Sequence, residues 1–115
     1  MGAIGLATAV IAGCASIPAP TEQLAVSKAA VANAVDAGGT EFAPAEMKTA
    51  QDKLDRANQA MAAKDYESAR LLAEHAQVDA QLASTKARSA KAQRAALAVQ
   101  EDSRVLREEL DRQRK

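Results

Sequence analysis

The sequence has 115 residues, and its 15 basic and 15 acidic side chains give a formal net charge of zero at pH 7. Thirty of its hydrophobic residues are alanine, and Phe42 and Tyr66 are its two aromatic residues. Because alanine buries little apolar area and an enzyme pocket needs bulk around it, this composition excludes sandwiches, barrels and α/β enzymes and favours long, closely packed helices.

Residues 1–13 are predicted to be an export signal. The run from residue 1 to residue 17 is small and apolar, and the first charged side chain is Glu22. A transmembrane helix needs about 20 strongly apolar residues, whereas Pro18 and Pro20 interrupt this run, so a secretory segment of about 7 to 15 residues fits better. Secretory signals begin with positive side chains, which are missing here. We therefore expect that the natural start lies upstream or that the chain is trimmed.

The segment Ile11-Ala12-Gly13-Cys14 resembles a bacterial lipobox. The resemblance implies that a signal peptidase cuts before Cys14, which carries a diacylglyceryl group and becomes the new N-terminus. Ala15 follows, whereas Asp at that place favours inner-membrane retention, so the resemblance implies an outer-membrane anchor in a Gram-negative bacterium, facing the periplasm. Cys14 is the only cysteine, which excludes a disulfide within the chain. The alternative is that Cys14 is a buried small hydrophobe.

Residues 14–20 are predicted to form the lipidated cysteine and a proline-rich, extended tether. Thr21 is a suitable N-cap for a first helix that runs to about Ala37, where Gly38-Gly39 stops it. The larger side chains of this helix form a sparse stripe of Leu24, Val31 and Val35.

A second helix is predicted to begin at Pro44, because proline suits the first helical position and Glu46 then places a carboxylate in the first turn. Phe42 before the cap and Met47 at the fourth position match a hydrophobic staple. A heptad seam with steps of three and four follows, formed by Met47, Ala50, Leu54, Ala57 and Met61.

The pair Lys64-Asp65 interrupts the heptad pattern, and Asp65 can cap a third helix that starts at Tyr66. A connection this short makes the second and third helices antiparallel neighbours. No Gly or Pro occurs from Tyr66 to Lys115, so the third helix can reach roughly 75 Å. Its seam, again with steps of three and four, is Tyr66, Ala69, Ala73, Ala76, Ala80, Ala83, Ala87 and Ala90.

Together these elements predict an all-α fold. Residues 21–90 are expected to form an antiparallel three-helix bundle with an alanine-rich seam, and residues 91–115 a projecting, charged continuation of the last helix. Leu72, Val78 and Leu82 are expected to flank the seam and add bulk.

The projecting helix has two interpretations. Val99, Leu106 and Leu110 have a spacing compatible with a weak coiled-coil contact, which makes a homo-oligomer one expectation. The alternative is a solvated helix stabilised by charge pairs such as Arg104 with Glu108.

A longer residue pattern spans the predicted second and third helices. It consists of Phe42-x-Pro44-x-Glu46, then Ala50, Leu54 and Ala57, then Asp65-Tyr66-x-x-Ala69-x-x-Leu72-Ala73-x-x-Ala76, and Asp79-Ala80-x-Leu82-Ala83. On this pattern the chain resembles the bacterial lipoprotein family catalogued as domain of unknown function 4398. The resemblance covers roughly Ala15 to Ala90 and implies a small exported envelope lipoprotein with a helical fold, and it supplies no established catalytic residues. The turn at Tyr66 is also similar to the helix-to-helix turn of a tetratricopeptide repeat, where Tyr packs between paired helices.

A basic stretch lies near the end of the predicted bundle. No acidic residue occurs between Asp79 and Glu101. The stretch is either a solvated face or a contact with anionic envelope polymer or lipid phosphates. With zero net charge and no stacking platforms, we expect no nucleic-acid partner. Its residues are Lys86, Arg88, Lys91 and Arg94.

Catalytic and metal chemistry have little support in the sequence. His75 and Asp79 are one helical turn apart with Glu74 beside them, but a zinc site needs three or four ligands and there is no second His. We expect these residues to form an exposed polar face, and we expect no metal, no cofactor and no enzymatic activity.

The chain ends in Arg112-Gln113-Arg114-Lys115. The major murein lipoprotein of enteric bacteria is similar in being a lipidated, alanine-seamed helix that ends in Arg-Lys. If the natural chain ends at Lys115, the resemblance implies attachment of this lysine to peptidoglycan. The sequence thus predicts a non-enzymatic outer-membrane lipoprotein bound to lipid through acylated Cys14. Its periplasmic helices would space or bind envelope components, with peptidoglycan or an outer-membrane protein as the expected partner. The alternatives are a peptidoglycan tether, and an enzyme accessory or chaperone-like subunit of an envelope complex that uses the groove beside Tyr66.

Overall fold

The structure is a computed structural model that describes residues 16–115, and all regular structure within them is helical. The last helix has 49 residues, which corresponds to roughly 74 Å and agrees with the long C-terminal helix that the sequence predicts. None of the described helices is long and apolar enough to cross a membrane. The helices are α1 (Thr21–Asp36), α2 (Gly39–Phe42), α3 (Pro44–Ala62) and α4 (Tyr66–Arg114).

Helix α1 begins without a side-chain cap. Thr21 is its first helical residue and Pro20 takes the N-cap position, so the prediction that Thr21 caps the helix is wrong. Of the predicted stripe of larger residues, Leu24 and Val31 are buried, but the prediction is wrong for Val35, which is exposed. The buried residues of α1 follow steps of three and four, so Val35 lies about 100° around the helix from buried Ala34. They are Leu24, Ser27, Val31 and Ala34.

The end of α1 confirms the predicted stop and adds an unexpected element. Gly38 has a φ of +93°, a left-handed conformation that favours glycine, and its N–H donates to the carbonyl oxygen of Val35 at 2.9 Å. Gly39 is not part of the C-terminal end of α1. It opens α2, a single helical turn that the sequence analysis missed.

Helix α3 starts at Pro44 as predicted, and Glu46 lies in its first turn. Of the predicted seam, Met47, Ala50 and Ala57 are buried, while Leu54 and Met61 are half-buried. The connection to α4 is also as predicted. Lys64 adopts a φ of +59°, and Oδ1 of Asp65 accepts a hydrogen bond from the Ser68 amide at 3.2 Å.

Two ion pairs fix how α3 lies against α4. Nζ of Lys53 is 2.6 Å from Oδ2 of Asp79, and Lys86 pairs with Glu46. Because the earlier residue on α3 pairs with the later residue on α4, the two helices run in opposite directions. On another side of α4, Leu24 of α1 packs in one cluster with Ala73, and Val31 packs in a second with Ala80. Helix α1 therefore runs in the same direction as α4.

The core consists mainly of alanine. All six alanines of the α4 seam from Ala69 to Ala87 have no exposed surface, and Ala90 is half-buried. Val78 and Leu82 point away from this seam around the helix and are exposed, so the prediction that they flank the seam and add bulk is wrong; Leu72 is half-buried. Ser27 is fully buried and its Oγ has no hydrogen-bond partner among the described residues.

The C-terminal part of α4 extends beyond the other helices. From residue 91 onward every residue except Ser103 is exposed. Charge pairs within this helix include Arg104 with Glu108, as predicted, and Arg104 with Glu101 at 2.6 Å. The extended part also carries exposed Val99, Leu106 and Leu110.

Candidate functional site

The predicted lipidation site lies outside the described residues. This holds for Ile11, Ala12 and Gly13 as well as for Cys14, so the structure does not test them. The first described segment, Ser16–Ala19, is exposed and carries no regular structure, and Pro20 is buried where α1 begins. The chain thus enters the fold through an exposed, proline-containing stretch.

This entry segment lies beside the turn between α3 and α4. A shallow hollow forms there, with Tyr66 half-buried at its side. Since α4 starts at this turn and extends away from it, the entry of the chain and Lys115 lie at opposite ends of the long helix. The hollow is lined by Ser16, Ile17, Lys64, Asp65, Tyr66 and Glu67.

Two members of the basic stretch bind carboxylates of the same chain. Lys86 pairs with Glu46 at the start of α3. Nη1 of Arg94 lies 3.2 Å from Oε1 of Glu41 in α2. These cations hold neighbouring helices against α4, which leaves less charge for an external anion than the sequence suggested. The carboxylates lie 40 and 53 residues away from their partners in the chain, and no local sequence signal identifies them.

Phe42 contacts two residues of the same basic stretch. The guanidinium carbon of Arg94 lies 4.5 Å from the centre of the Phe42 ring, and Nζ of Lys91 lies 5.9 Å from it. Both distances are within the range of a cation–π interaction. Phe42 and Glu41 therefore dock α2 onto α4 as far along as Arg94, so the contacts between helices extend past the boundary expected near residue 90.

Arg88 and Lys91 are the members of the stretch that form no ion pair within the described part of the chain. Arg88 lies on the α1 side of α4, at a shallow polar hollow. Asn33 faces it from α1, together with the side chains of α4 that line the rest of the hollow. The residues lining this hollow are Ala30, Asn33, Gln81, Ser84, Thr85 and Arg88.

His75 lies on an exposed face as predicted. Its two acidic neighbours are engaged elsewhere, because Asp79 binds Lys53 and Oε1 of Glu74 lies 3.1 Å from Nη1 of Arg70. Among residues 16–115 there is no group of three or more His, Cys, Asp or Glu side chains placed to hold a metal. Lys115 is exposed and follows the last helical residue, Arg114.

The Glu46–Lys86 pair gives a pH-dependent contact between α3 and α4. The hydrogen bond from Lys86 holds the pKa of the Glu46 carboxyl below its ordinary value of 4.5, and a backbone hydrogen bond at Glu46 lowers it further. A carboxyl with a lowered folded-state pKa stabilises the fold above its unfolded-state pKa, and this contribution is lost as the pH falls through the lowered value. The contribution is therefore fully present at neutral pH.

We expect Glu46→Gln to melt at a lower temperature than the parent chain at pH 7, because the charged pair is lost. The difference should shrink as the pH is lowered below 4.5, where the parent carboxyl becomes protonated. Thermal unfolding followed by circular dichroism at a series of pH values measures it. Asp52→Asn, which removes an exposed pair with Lys48 within α3, is the control. A difference that stays constant down to pH 2 would contradict the assignment.

Comparison with known protein families identifies one family that matches this chain. The sequence profile described as Domain of unknown function (DUF4398) matches residues 22–99, which include all of α3 and the first two thirds of α4. Neither the curated proteins nor the solved structures gave a match.

Proposed function

This chain belongs to the DUF4398 family, and we propose that it is a non-enzymatic outer-membrane lipoprotein whose periplasmic helices have a structural or interaction role in the envelope. The observation that carries the proposal is the direction in which the chain runs, from the predicted anchor at one end to the far end of α4 at the other. A lipobox-like sequence ends at Cys14, an exposed segment follows, and α4 then extends for roughly 74 Å away from that entry point. A lipid at Cys14 would anchor one end of a long helix and leave its other end free.

The packing of α1, α3 and α4 supports the proposal. We propose that they act as an antiparallel three-helix bundle that keeps the base of α4 rigid near the anchor. Support comes from the ion pairs between α3 and α4 and from Val31 and Ala34 of α1 in the same cluster as Ala80 and Ala83. A rigid base lets the exposed end of α4 reach a partner at a defined distance from the membrane.

Replacing Cys14 with serine tests the anchor. We expect the parent chain to incorporate labelled palmitate and to fractionate with the outer membrane. Cys14→Ser should carry no label, remain an unprocessed precursor and leave the outer-membrane fraction, because serine lacks the thiol that accepts the lipid. Ser16→Ala, two residues downstream and exposed, is the matched control.

Two results would count against the proposal. Equal palmitate labelling of Cys14→Ser and the parent chain would contradict lipidation at Cys14. Recovery of the parent chain from a soluble fraction would contradict the proposed outer-membrane location. A third result would change the proposed role: retention of the chain on sacculi boiled in detergent would indicate a covalent tether to peptidoglycan, the second candidate, for which exposed Lys115 is the predicted attachment residue.

A further inference from the structure

The exposed large hydrophobic residues of α4 are not scattered over its surface. Eight of them are exposed, and six fit a single heptad frame of steps of three and four residues. The other two, Leu97 and Val105, lie off the frame. Between Leu82 and Val99 the same frame continues through small side chains, Ser89, Ala92 and Ala96 among them. We call this surface the outer seam; its large residues are Leu71, Val78, Leu82, Val99, Leu106 and Leu110.

The outer seam faces away from the core of the molecule. Val78 lies two residues from both Ala76 and Ala80, which are fully buried, so it points about 160° away from each around the helix. Along this part of α4, α3 approaches on the side of Asp79 and α1 on the side of Ser84. One face therefore remains open, and it has room for one further helix.

The charges beside the outer seam indicate what that helix is. Asp102 and Glu109 lie on one side of it, immediately before the frame positions Ser103 and Leu110. Arg107 and Arg114 lie on the other side, immediately after Leu106 and Gln113 of the frame. Asp102, Arg107 and Arg114 form no ion pair among the described residues, whereas Glu109 lies 2.8 Å from Arg112 of its own helix.

This arrangement distinguishes the two orientations of a helix pair. In a parallel, in-register pair each residue on the first flank faces the residue five positions later on the second flank of the other helix. Asp102 would face Arg107 of the second copy, and Glu109 would face Arg114 of the second copy, so both contacts are attractive. In an antiparallel pair the acidic flank of one helix faces the acidic flank of the other, and the basic flank faces the basic flank, so both contacts are repulsive.

We propose that α4 pairs with α4 of a second copy of this chain as a parallel, in-register coiled coil along the outer seam. The pair is a dimer, because α1 and α3 cover the remaining sides of α4 over its first half. It does not depend on lipidation at Cys14, although a parallel pair would place both Cys14 residues at the same end. Dimerisation also covers the large apolar side chains of the outer seam, which the single chain leaves exposed.

Cysteine crosslinking of the full chain tests both the pairing and its direction. In a Cys14→Ser background, which removes the only native thiol, Leu106→Cys places a thiol on the outer seam. In a parallel, in-register pair this residue faces itself, so mild oxidation should convert most of the protein into a disulfide-linked dimer. The matched control is Leu97→Cys, which has nearly the same exposure (65% against 64%) but lies off the seam, so its thiol faces away from the second copy and should form no disulfide-linked dimer.

Two crosslinking outcomes overturn the proposal. Absence of the Leu106→Cys dimer would exclude a parallel pair, because an antiparallel arrangement separates the two thiols along the helix. Equal crosslinking of both variants would mean random collision. Both residues are exposed and lie outside the core, so each variant should fold, and circular dichroism is the measurement that checks this.

Charge reversal provides an independent measurement. Arg107→Glu with Arg114→Glu makes the flanks of both copies acidic and should weaken self-association roughly tenfold or more in sedimentation equilibrium. Asp102→Lys with Glu109→Lys makes both flanks basic and should have the same effect. An equimolar mixture of the two variants should restore the dimer as a heterodimer. Unchanged self-association of either variant alone would overturn the assignment of these pairs.

Discussion

Replacing Ala80 with leucine is expected to lower the free energy of unfolding by about 3 kcal/mol, the upper part of the range for overpacked cores. Ala80 has no exposed surface and packs in one cluster with Val31, Ala34 and Ala50. Three added carbon atoms have no void to fill, because alanine faces alanine where these helices meet. To accept them, α4 has to move away from α1 and α3, which exposes apolar surface along the whole seam.

Ala98→Leu is the matched control for this effect. It makes the same substitution in the same helix at an exposed position, where surface changes usually stay within about 0.5 kcal/mol. Urea unfolding followed by circular dichroism, at one fixed protein concentration because association adds to stability, compares the two variants. Equal midpoints would show that the seam is not closely packed.

The parts of the fold that the sequence predicted are those in which spacing alone determines burial. From Ala69 to Ala87 the predicted seam of α4 is buried at every position, and in α3 the five predicted positions are buried or half-buried. Gly, Pro and Asp marked the ends correctly at Gly38, Pro44 and Asp65 because each acts on its own backbone. These signals are local, so a single sequence contains them.

The predictions failed where side-chain size was taken as a sign of burial. Val35, Val78 and Leu82 were expected to contribute to the core and are exposed, whereas Ser27 and Ala34 are buried. Val78 and Leu82 point away from the alanine seam around the helix, so their angular position, and not their size, determines their exposure. In α1 the buried face is the one that meets α3 and α4, and which face that is depends on tertiary packing.

The candidate site was predictable only in part. The basic stretch is visible in the sequence, but its carboxylate partners, Glu41 and Glu46, precede it by 40 or more residues. Helix α2, which brings Glu41 and Phe42 to α4, is a single turn between Gly38 and Pro44 and is too short to show a periodicity. The role of the stretch in holding helices together therefore emerged only from the packing.

The glycine pair at the start of α2, Gly38 at the N-cap and Gly39 as the first helical residue, gives the second large expected effect. Gly39→Ala should lower the free energy of unfolding by about 2 kcal/mol, within the range for overpacking. A Cβ at residue 39 would lie 2.8 Å from the carbonyl oxygen of Ala34 and 2.7 Å from the sulfur of Met47. The Met47 side chain can turn aside, but the carbonyl belongs to the backbone of α1 and moves only if the end of that helix moves.

Gly38→Ala is the informative comparison, because alanine at this position lowers the free energy of unfolding through backbone strain and not through a steric contact with α1. A Cβ there would meet the flexible end of Lys91 at 2.8 Å, which can move, but the φ of +93° remains unfavourable for alanine by roughly 1 to 2 kcal/mol. Asparagine tolerates left-handed backbone, so Gly38→Asn should recover part of the loss, whereas Gly39→Asn should not. Thr40→Ala, exposed and next in the chain, is the neutral control. Equal recovery by asparagine at both positions would show that strain, and not contact with α1, limits residue 39.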